Sequence, residues 1–301
     1  MIFTIDVEDW PQSVLDRSYP VSNRVYDNTS QILDLLEKYN HKGTFFTLAN
    51  IAEKHPGLIR KIVSAGHEIA SHGCNHINLY TFTPKEIRND VDRSVKTIED
   101  ISGQKIIGYR APNFSIRENI FEPYCEALAE NGLKYDSSLF PMKVIKYGIE
   151  KKYSLDVFNK YNIDEHYLSY ITIGKTRLPF FGGGYFRLAP YSLTKKLSQQ
   201  FDKNNSGVFY MHPFEIDTGE YAEVKKLYKT MPFIHRQFFV SRSTVKKKLD
   251  QLMQDFDFTS FKQHYYAKDT PEDSNHADNN ENNTNNNRIG SSPDRMEKAV
   301  A

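Results

Sequence analysis

The sequence predicts an α/β fold, a parallel sheet covered by helices. Short apolar runs suited to buried strands alternate with amphipathic helical stretches along most of the chain. These runs repeatedly end in titratable or cationic residues: Asp6, Glu8 and Asp9, then His72 and His76, Arg110, Asp136 and His212. Six or more β-then-α repeats favour closure into a barrel over an open sheet, and either architecture places its site at the strand C-termini.

Taken in order, "MIFTIDV" alternates faces if extended, with Ile2, Thr4 and Asp6 on one side and Phe3, Ile5 and Val7 on the other. After a loop rich in turn residues, "NTSQILDLLEKYN" predicts a helix behind the cap residues Asn28 and Thr29, with Ile32, Leu33, Leu35, Leu36 and Tyr39 at helical spacing. "GTFFTL" reads as strand, "HPGLIRKIVSAG" as helix and "HEIASH" as strand. "TPKEIRNDVDRSVKTIEDISG" predicts a helix capped by Thr83, with Pro84 at its first position, Glu86 completing a capping box and Gly103 as its stop. Its apolar stripe is Ile87, Val91, Val95 and Ile98. "IIGYR" is then a strand, "ENIFEPYCEALAENG" a helix and "LKYDSSL" a short strand.

From about Lys143 to Lys175 a Lys- and Tyr-rich segment interrupts the pattern and reads as an insertion over the barrel mouth. "TRLPFFGGGYFRLAPYSLTKKLSQQF" resumes as strand, glycine loop and helix, "GVFYMHP" is a buried strand, "STVKKKLDQLMQDF" a last helix and "DFTSF" a closing strand or extended piece. Residues 1–268 therefore form the folded unit. Residues 269–301, rich in Asn, Asp, Ser and Glu, form a disordered polar tail, since they carry too little apolar surface to offset the entropy of ordering.

Composition narrows the function classes. With 39 basic and 38 acidic residues the net charge is +1, which asks for neither nucleic acid nor an anionic membrane as partner. Two cysteines, Cys74 and Cys125, are too few for a disulfide framework, and their spacing fits no zinc ribbon. The N-terminal residues have no basic region and no long apolar run before their acids, which predicts a cytoplasmic protein without a membrane span.

His72 and His76 have metal-ligand spacing where the backbone turns, although Gly73 and Asn75 argue against a regular helix there. Two imidazoles and one carboxylate leave coordination positions open, as in a catalytic rather than a structural zinc-like site. Strand alternation makes Glu8 continue the face of Asp6 and sends Asp9 away, while a bulge or turn after Asp6 would bring Asp9 in instead. The carboxylate ligand is therefore Glu8 or Asp9. Cys74, between the histidines, reads as a small buried filler. Asp136, Ser137 and Ser138 either cap the following turn or support the site. "FFGGGYFR" lacks the Lys-Ser/Thr that a phosphate cradle needs and reads as a tight turn at the cleft, with Tyr185 and Arg187 as substrate contacts. Trp10 is either core or a stacking platform for a ligand.

The blocks "TIDVEDW", "AGHEIASHGCNH", "YRAPNFS", "YDSSLFP" and "FYMHP", in that order, resemble the signature blocks of the polysaccharide deacetylase family, carbohydrate esterase family 4 or NodB-homology. The remainder through "DFTSFKQ" looks like the subgroup with a C-terminal extension associated with surface-polysaccharide synthesis. The resemblance implies a distorted (β/α) barrel of about seven parallel strands and a divalent metal, commonly zinc. It implies hydrolysis of an N-acetyl group from an amino sugar. It makes Asp6 the general base, Arg110 the residue that orients Asp6, His72 and His76 metal ligands with one nearby acid, and His212 the general acid. A backbone N–H after "YRAP" is a further oxyanion donor.

Two departures stand out: the usual first block has adjacent aspartates, and the tyrosine that commonly follows "R-x-P" is here Asn113. The expected substrate is an N-acetylated sugar or polysaccharide precursor inside the cell. An allantoinase-like hydrolase of cyclic amides and a noncatalytic carbohydrate-binding barrel are the alternatives.

Overall fold

A computed structural model describes residues 1–139, 151–173, 176–203, 207–227 and 233–267. In chain order the first half comprises β1 (Ile2–Val7), a π-helical turn (Pro11–Leu15), α1 (Arg24–Lys38), β2 (Thr44–Thr47), α2 (Ala49–Lys54), α3 (Pro56–Ser64) and β3 (Glu68–Ser71). It continues through α4 (Pro84–Ser102), β4 (Gly108–Tyr109), α5 (Glu118–Glu130) and β5 (Tyr135–Asp136). The second half comprises α6 (Lys151–Tyr161), β6 (Asp164–Glu165), β7 (Tyr170–Ile173), β8 (Thr176–Pro179), α7 (Gly183–Leu188), α8 (Tyr191–Lys203) and β9 (Val208–Met211). It ends with α9 (Glu220–Leu227), α10 (Phe233–Arg236), α11 (Arg242–Asp255) and α12 (Phe261–Tyr265).

Seven strands form one sheet in the order β6-β5-β4-β3-β2-β1-β9, every pairing parallel. The sheet curls into a half-barrel of the distorted (β/α) type. β9 and β6 are its edges, and side chains bridge the gap between them: the Val208 N–H donates to Ser169 Oγ at 2.8 Å. Leu168 and Val208 share an apolar cluster with Ile2, Phe46, Ala70 and Tyr135. Interior positions follow the strand period from Ile2 to Thr4 to Asp6, with Thr4 in register with Thr44 and Tyr210, and Asp6 with Phe46. The opposite face of β1, Phe3, Ile5 and Val7, packs beneath the helices with Leu33, Leu36, Phe209 and Leu249.

The N-terminal end of the barrel is floored by the last described residues. Thr259 bridges Ile2, and Phe261 inserts with its ring 5.0 Å from Tyr135 and 6.3 Å from Phe46. The buried Glu68 carboxylate is tied into this floor by Thr44 Oγ1 (2.6 Å), the Tyr135 hydroxyl (2.9 Å) and the Lys262 N–H (2.8 Å).

α4 carries its capping box at Thr83 and Glu86, and Gly103 stops it in the left-handed region at φ 67°. α1 departs from expectation at its start. It begins at Arg24, so Asn28 and Thr29 lie inside it rather than capping it. Both are buried and spend their polar groups elsewhere: Thr29 Oγ1 donates to Val25 O, and Asn28 Nδ2 donates to Asp217 Oδ2 at 3.1 Å. The Lys- and Tyr-rich segment also differs in part from a plain excursion. α6 places Val157 and Phe158 in the core, and β6 extends the main sheet, so the β/α alternation runs on. The departure from the sheet comes later, where β7 and β8 form a separate antiparallel pair. The polar tail from residue 269 lies outside the described residues.

Candidate active site

The C-terminal ends of β1, β3, β4, β5 and β9 converge on one polar centre. Arg110, fully buried after β4, donates through Nη1 to Asp6 Oδ1 at 2.6 Å and to Thr4 Oγ1 at 3.0 Å. Its Nε and Nη2 reach Ser137 O and Ser137 Oγ at 3.1 and 2.9 Å. The guanidinium lies 4.1 Å from the Phe46 ring centroid. A charge this deep is tolerated because its nitrogens have acceptors and a carboxylate sits opposite, and the same contacts hold Asp6 in one place.

Glu8 continues the face of Asp6. Its Oε1 lies 3.2 Å from His72 Nε2 and 3.0 Å from His76 Nε2. Each imidazole is fixed from its far side, His72 Nδ1 at 2.7 Å from Arg110 O and His76 Nδ1 at 2.9 Å from Ser13 O. A carbonyl only accepts, so each Nδ1 carries a proton and each Nε2 faces Glu8. The loop between the histidines is not helical. Gly73 (φ 78°) has room for no Cβ, since one would lie 2.9 Å from Asp90 Oδ2 and 3.1 Å from the Tyr109 hydroxyl, and His76 itself is left-handed at φ 54°. Burial opposes charge on Glu8, but His76, His212 and His72 outweigh it and hold the carboxyl well below its ordinary range.

The Glu8, His72 and His76 ligand atoms lie within 4.8 Å of one another, all buried. Two imidazole nitrogens and a carboxylate oxygen converge here, an arrangement that holds together only with a proton or cation among them. Buried His76 Nε2 also has no hydrogen-bond partner. The donor set therefore fits a divalent metal with nitrogen and oxygen preference. Asp9, the other expected carboxylate, is not in this group. It accepts from Ser22 N–H (2.9 Å) and Ser22 Oγ (2.6 Å), and burial pushes its pKa up against those bonds.

His212 ends β9 with Nε2 3.7 Å from Glu8 Oε1 and its ring stacked on Phe214 at 4.7 Å. Asp6, Glu8 and His212 offer ligand atoms within 4.8 Å of one another. Burial works against protonation of His212, but Glu8, Glu215 and Asp6 raise its pKa to about 9.

Of the remaining expectations, Ser137 anchors Arg110, while Ser138 Oγ accepts from the Ala111 N–H (2.7 Å) and donates to Asp136 (2.5 Å). The "YDSS" block thus braces the "YRAP" loop instead of capping a turn, and the Ala111 N–H is already spent. Trp10 is core: it is fully buried against Phe239 at 4.6 Å. Tyr185 is 48% exposed, but Arg187 is buried and pairs with Glu215 at 3.0 Å rather than facing the cleft. Cys74 is free and buried, its thiol donating to Asp90 O. Thr4 and Glu215 join the site without having been singled out in the sequence. Thr4 could have been found as the residue before Asp6 on one strand face, and Glu215 as the acid three residues after His212.

Residues 16–135 match the family described as polysaccharide deacetylase, and residues 137–266 match a domain of unknown function, DUF3473. The first span contains His72, His76 and Arg110 but not Asp6 or Glu8, and His212 falls in the second. A peptidoglycan-N-acetylglucosamine deacetylase of Bacillus cereus is 40% identical over 107 residues, 36% of this chain and 34% of that protein. A peptidoglycan deacetylase of Helicobacter pylori is 35% identical over 109 residues, 36% of each. The match thus spans about a third of the length of these relatives. A crystal structure of a Mycobacterium smegmatis protein, provisionally named a polysaccharide deacetylase, shares the fold with TM-score 0.52 and 20% identity, covering 86% of this chain and 85% of that one. Barrel topology and sequence agree: residues 16–135 form a polysaccharide deacetylase domain, and a DUF3473 domain follows it over residues 137–266.

Proposed function

We propose that the protein is a metal-dependent hydrolase that removes an N-acetyl group from an amino sugar in a polysaccharide or its precursor. Glu8, His72 and His76 hold the ion, most simply zinc. The observation that carries the reading is the convergence of these three ligand atoms beside Asp6 and His212 at the C-terminal ends of the strands. The named activities of the B. cereus and H. pylori relatives support the substrate class.

A divalent ion in this position supplies Lewis acidity toward the acetyl carbonyl and toward water. The chain's own residues do the rest. Asp6, fixed by Arg110, takes a proton from the attacking water as the new C–O bond forms at the acetyl carbon. Arg110 stays protonated throughout and keeps the Asp6 oxygen aimed at the reaction centre. His212 then gives its Nε2 proton to the sugar nitrogen as the C–N bond breaks, leaving acetate and a free amine. Amine departure needs this proton, and Glu215, beside the imidazole and not among the proposed metal ligands, favours the protonated form.

We place the enzyme in the cytoplasm, a reading supported by two buried, free cysteines. Cell fractionation tests this directly, and recovery outside the cytoplasm overturns it. For the activity, the zinc-loaded protein is assayed for acetate release from N-acetylated oligosaccharides, with allantoin in parallel. Acetate release that is lost together with bound zinc in His72→Ala is expected. Zinc-free protein from chelator-free buffers, with no acetate from any sugar, refutes the proposal.

A further inference from the structure

Resting on the hydrolase reading above, we propose that Glu215, clamped by Arg187, is a positioning residue for His212, and that the DUF3473 stretch thereby completes the active site. The geometry begins at the turn Pro213–Ile216, which folds the chain back directly after His212. Glu215 Oε2 accepts the His212 N–H at 3.2 Å and lies 3.7 Å from His212 Nδ1. That nitrogen is buried and has no hydrogen-bond partner among the described residues. Glu215 Oε1 accepts from Arg187 Nη1 at 3.0 Å, and Arg187 Nη2 is fixed in turn on Gln237 O at 3.0 Å. Both members of the pair are about 95% buried, with side-chain exposures of 5% and 4%.

Arg187 reaches this point because the glycine loop lies flat on β9. Gly182 bridges Tyr210, and a Cβ on Gly182 would fall 2.1 Å from Tyr210 O. Gly183 is left-handed at φ 49°, and a Cβ there would meet the Tyr210 hydroxyl at 2.8 Å. α7 starts at that spot and carries Arg187 inward. "FFGGGYFR" is thus a device for bringing a buried cation to Glu215.

The consequence for His212 is tautomeric. Stacking on Phe214 at an interplanar angle of 9° fixes the plane of the ring but not which nitrogen bears the proton. A carboxylate beside Nδ1 favours the proton there, so that once Nε2 has given its proton to the departing nitrogen the neutral ring retains Nδ1–H. Arg187 holds Glu215 in place through the 3.0 Å pair, and Glu215 does not itself exchange a proton with substrate. Hydrogen bonds of this kind are long in unliganded enzymes and tighten when substrate arrives.

The test uses the full chain as Glu215→Gln, Arg187→Met, Arg187→Lys and the double variant Arg187→Met/Glu215→Gln. Zinc content, kcat and KM for acetate release from an N-acetylated oligosaccharide, and side-chain ¹⁵N NMR of His212 are measured on each. Glu215→Gln and Arg187→Met should lower kcat by about 10²-fold with KM and bound zinc within about 2-fold of wild type. Arg187→Lys should recover part of that loss. The double variant leaves no unpaired buried charge, so it should fold and still be slow. In every slow variant the neutral His212 signal should move from the Nδ1–H form toward a mixture. Folded, zinc-loaded Glu215→Gln with wild-type kcat and an unchanged His212 signal overturns the proposal. If wild-type protein releases no acetate, the hydrolase reading fails, and the NMR comparison alone still decides whether Glu215 sets the tautomer.

Discussion

Replacing His166 with phenylalanine should flatten the acid limb of the stability curve. His166 lies between the barrel and its floor, with its ring 4.9 Å from Phe261 and 4.4 Å from Tyr265 and its Nε2 3.1 Å from the Tyr266 hydroxyl. Burial, with a smaller contribution from the nearby charge of His264, pushes its pKa from 6.5 down to about 3. The unfolded chain therefore binds a proton that the folded chain refuses across that interval. The stabilisation is complete above the unfolded value of 6.5 and is lost as pH falls toward the folded value. The slope is about 1.4 kcal/mol per pH unit, so at about pH 4.5, two units below the unfolded value, His166 alone withdraws about 2.7 kcal/mol. His67, pushed to about 4 mainly by burial, adds a second term of the same sign. Raised carboxyls such as Glu68 act in the opposite direction, so the informative quantity is the difference between proteins. Urea unfolding of wild type and His166→Phe at about pH 7.5 and about pH 4.5 measures it. Phenylalanine preserves the stacking, and Tyr266 still donates to Asp164. Wild type should lose about 2.7 kcal/mol more than the variant on acidification. Equal losses would refute the assignment of a neutral, buried imidazole.

Glu8→Gln should abolish stoichiometric zinc binding while Asp9→Asn retains it, as read by metal analysis after purification without chelators; the reverse pattern would move the ligand to Asp9. Arg110→Met removes one partner of a buried ion pair and should cost about 3–5 kcal/mol in denaturant unfolding, together with nearly all acetate release. Gly73→Ala should destabilise by about 1–2 kcal/mol from its left-handed backbone and weaken zinc binding by displacing the His72–His76 loop; calorimetric zinc titration unchanged from wild type would show that the loop geometry does not matter. Phe261→Ala should cost about 3–5 kcal/mol in the same unfolding assay without changing bound zinc, because it lies at the opposite end of the barrel.

The parts of the site that were legible are those encoded by local periodicity. Strand alternation alone placed Thr4, Asp6 and Glu8 on one interior face and turned Asp9 away, as observed. The coming together of Arg110 with Ser137 was not legible, because it depends on β4 lying beside β5 in the sheet, and strand order is not written in a single strand. α6 and β6 were masked by composition: few apolar residues, among them Val157, Phe158 and Ile163, bury this segment, and its lysines and tyrosines read as surface. Asn28 and Thr29 had the chemistry of caps but were claimed by tertiary contacts inside a longer helix. Arg187 was noticed for its glycine loop and given the wrong partner, since nothing local shows that the four-residue turn Pro213–Ile216 returns Glu215 to face it.

The floor of the barrel imposes an order on folding. β1 carries Asp6 and Glu8, and while its partner β2 is close in sequence, its other neighbour β9 arrives late, Thr4 bonding to Phe209 across 205 residues; β2 likewise waits for Phe261, which meets Thr44 across 217. Contacts of such separation must absorb the loop-closure entropy of most of the chain before they stabilise anything. The first strand and its carboxylates therefore wait, unpaired on one edge, while the β2 to β5 region can assemble from nearer neighbours. The polar centre at the end of β1 is among the last places to become ordered, and during that interval the open strand edge is most exposed to edge-to-edge aggregation.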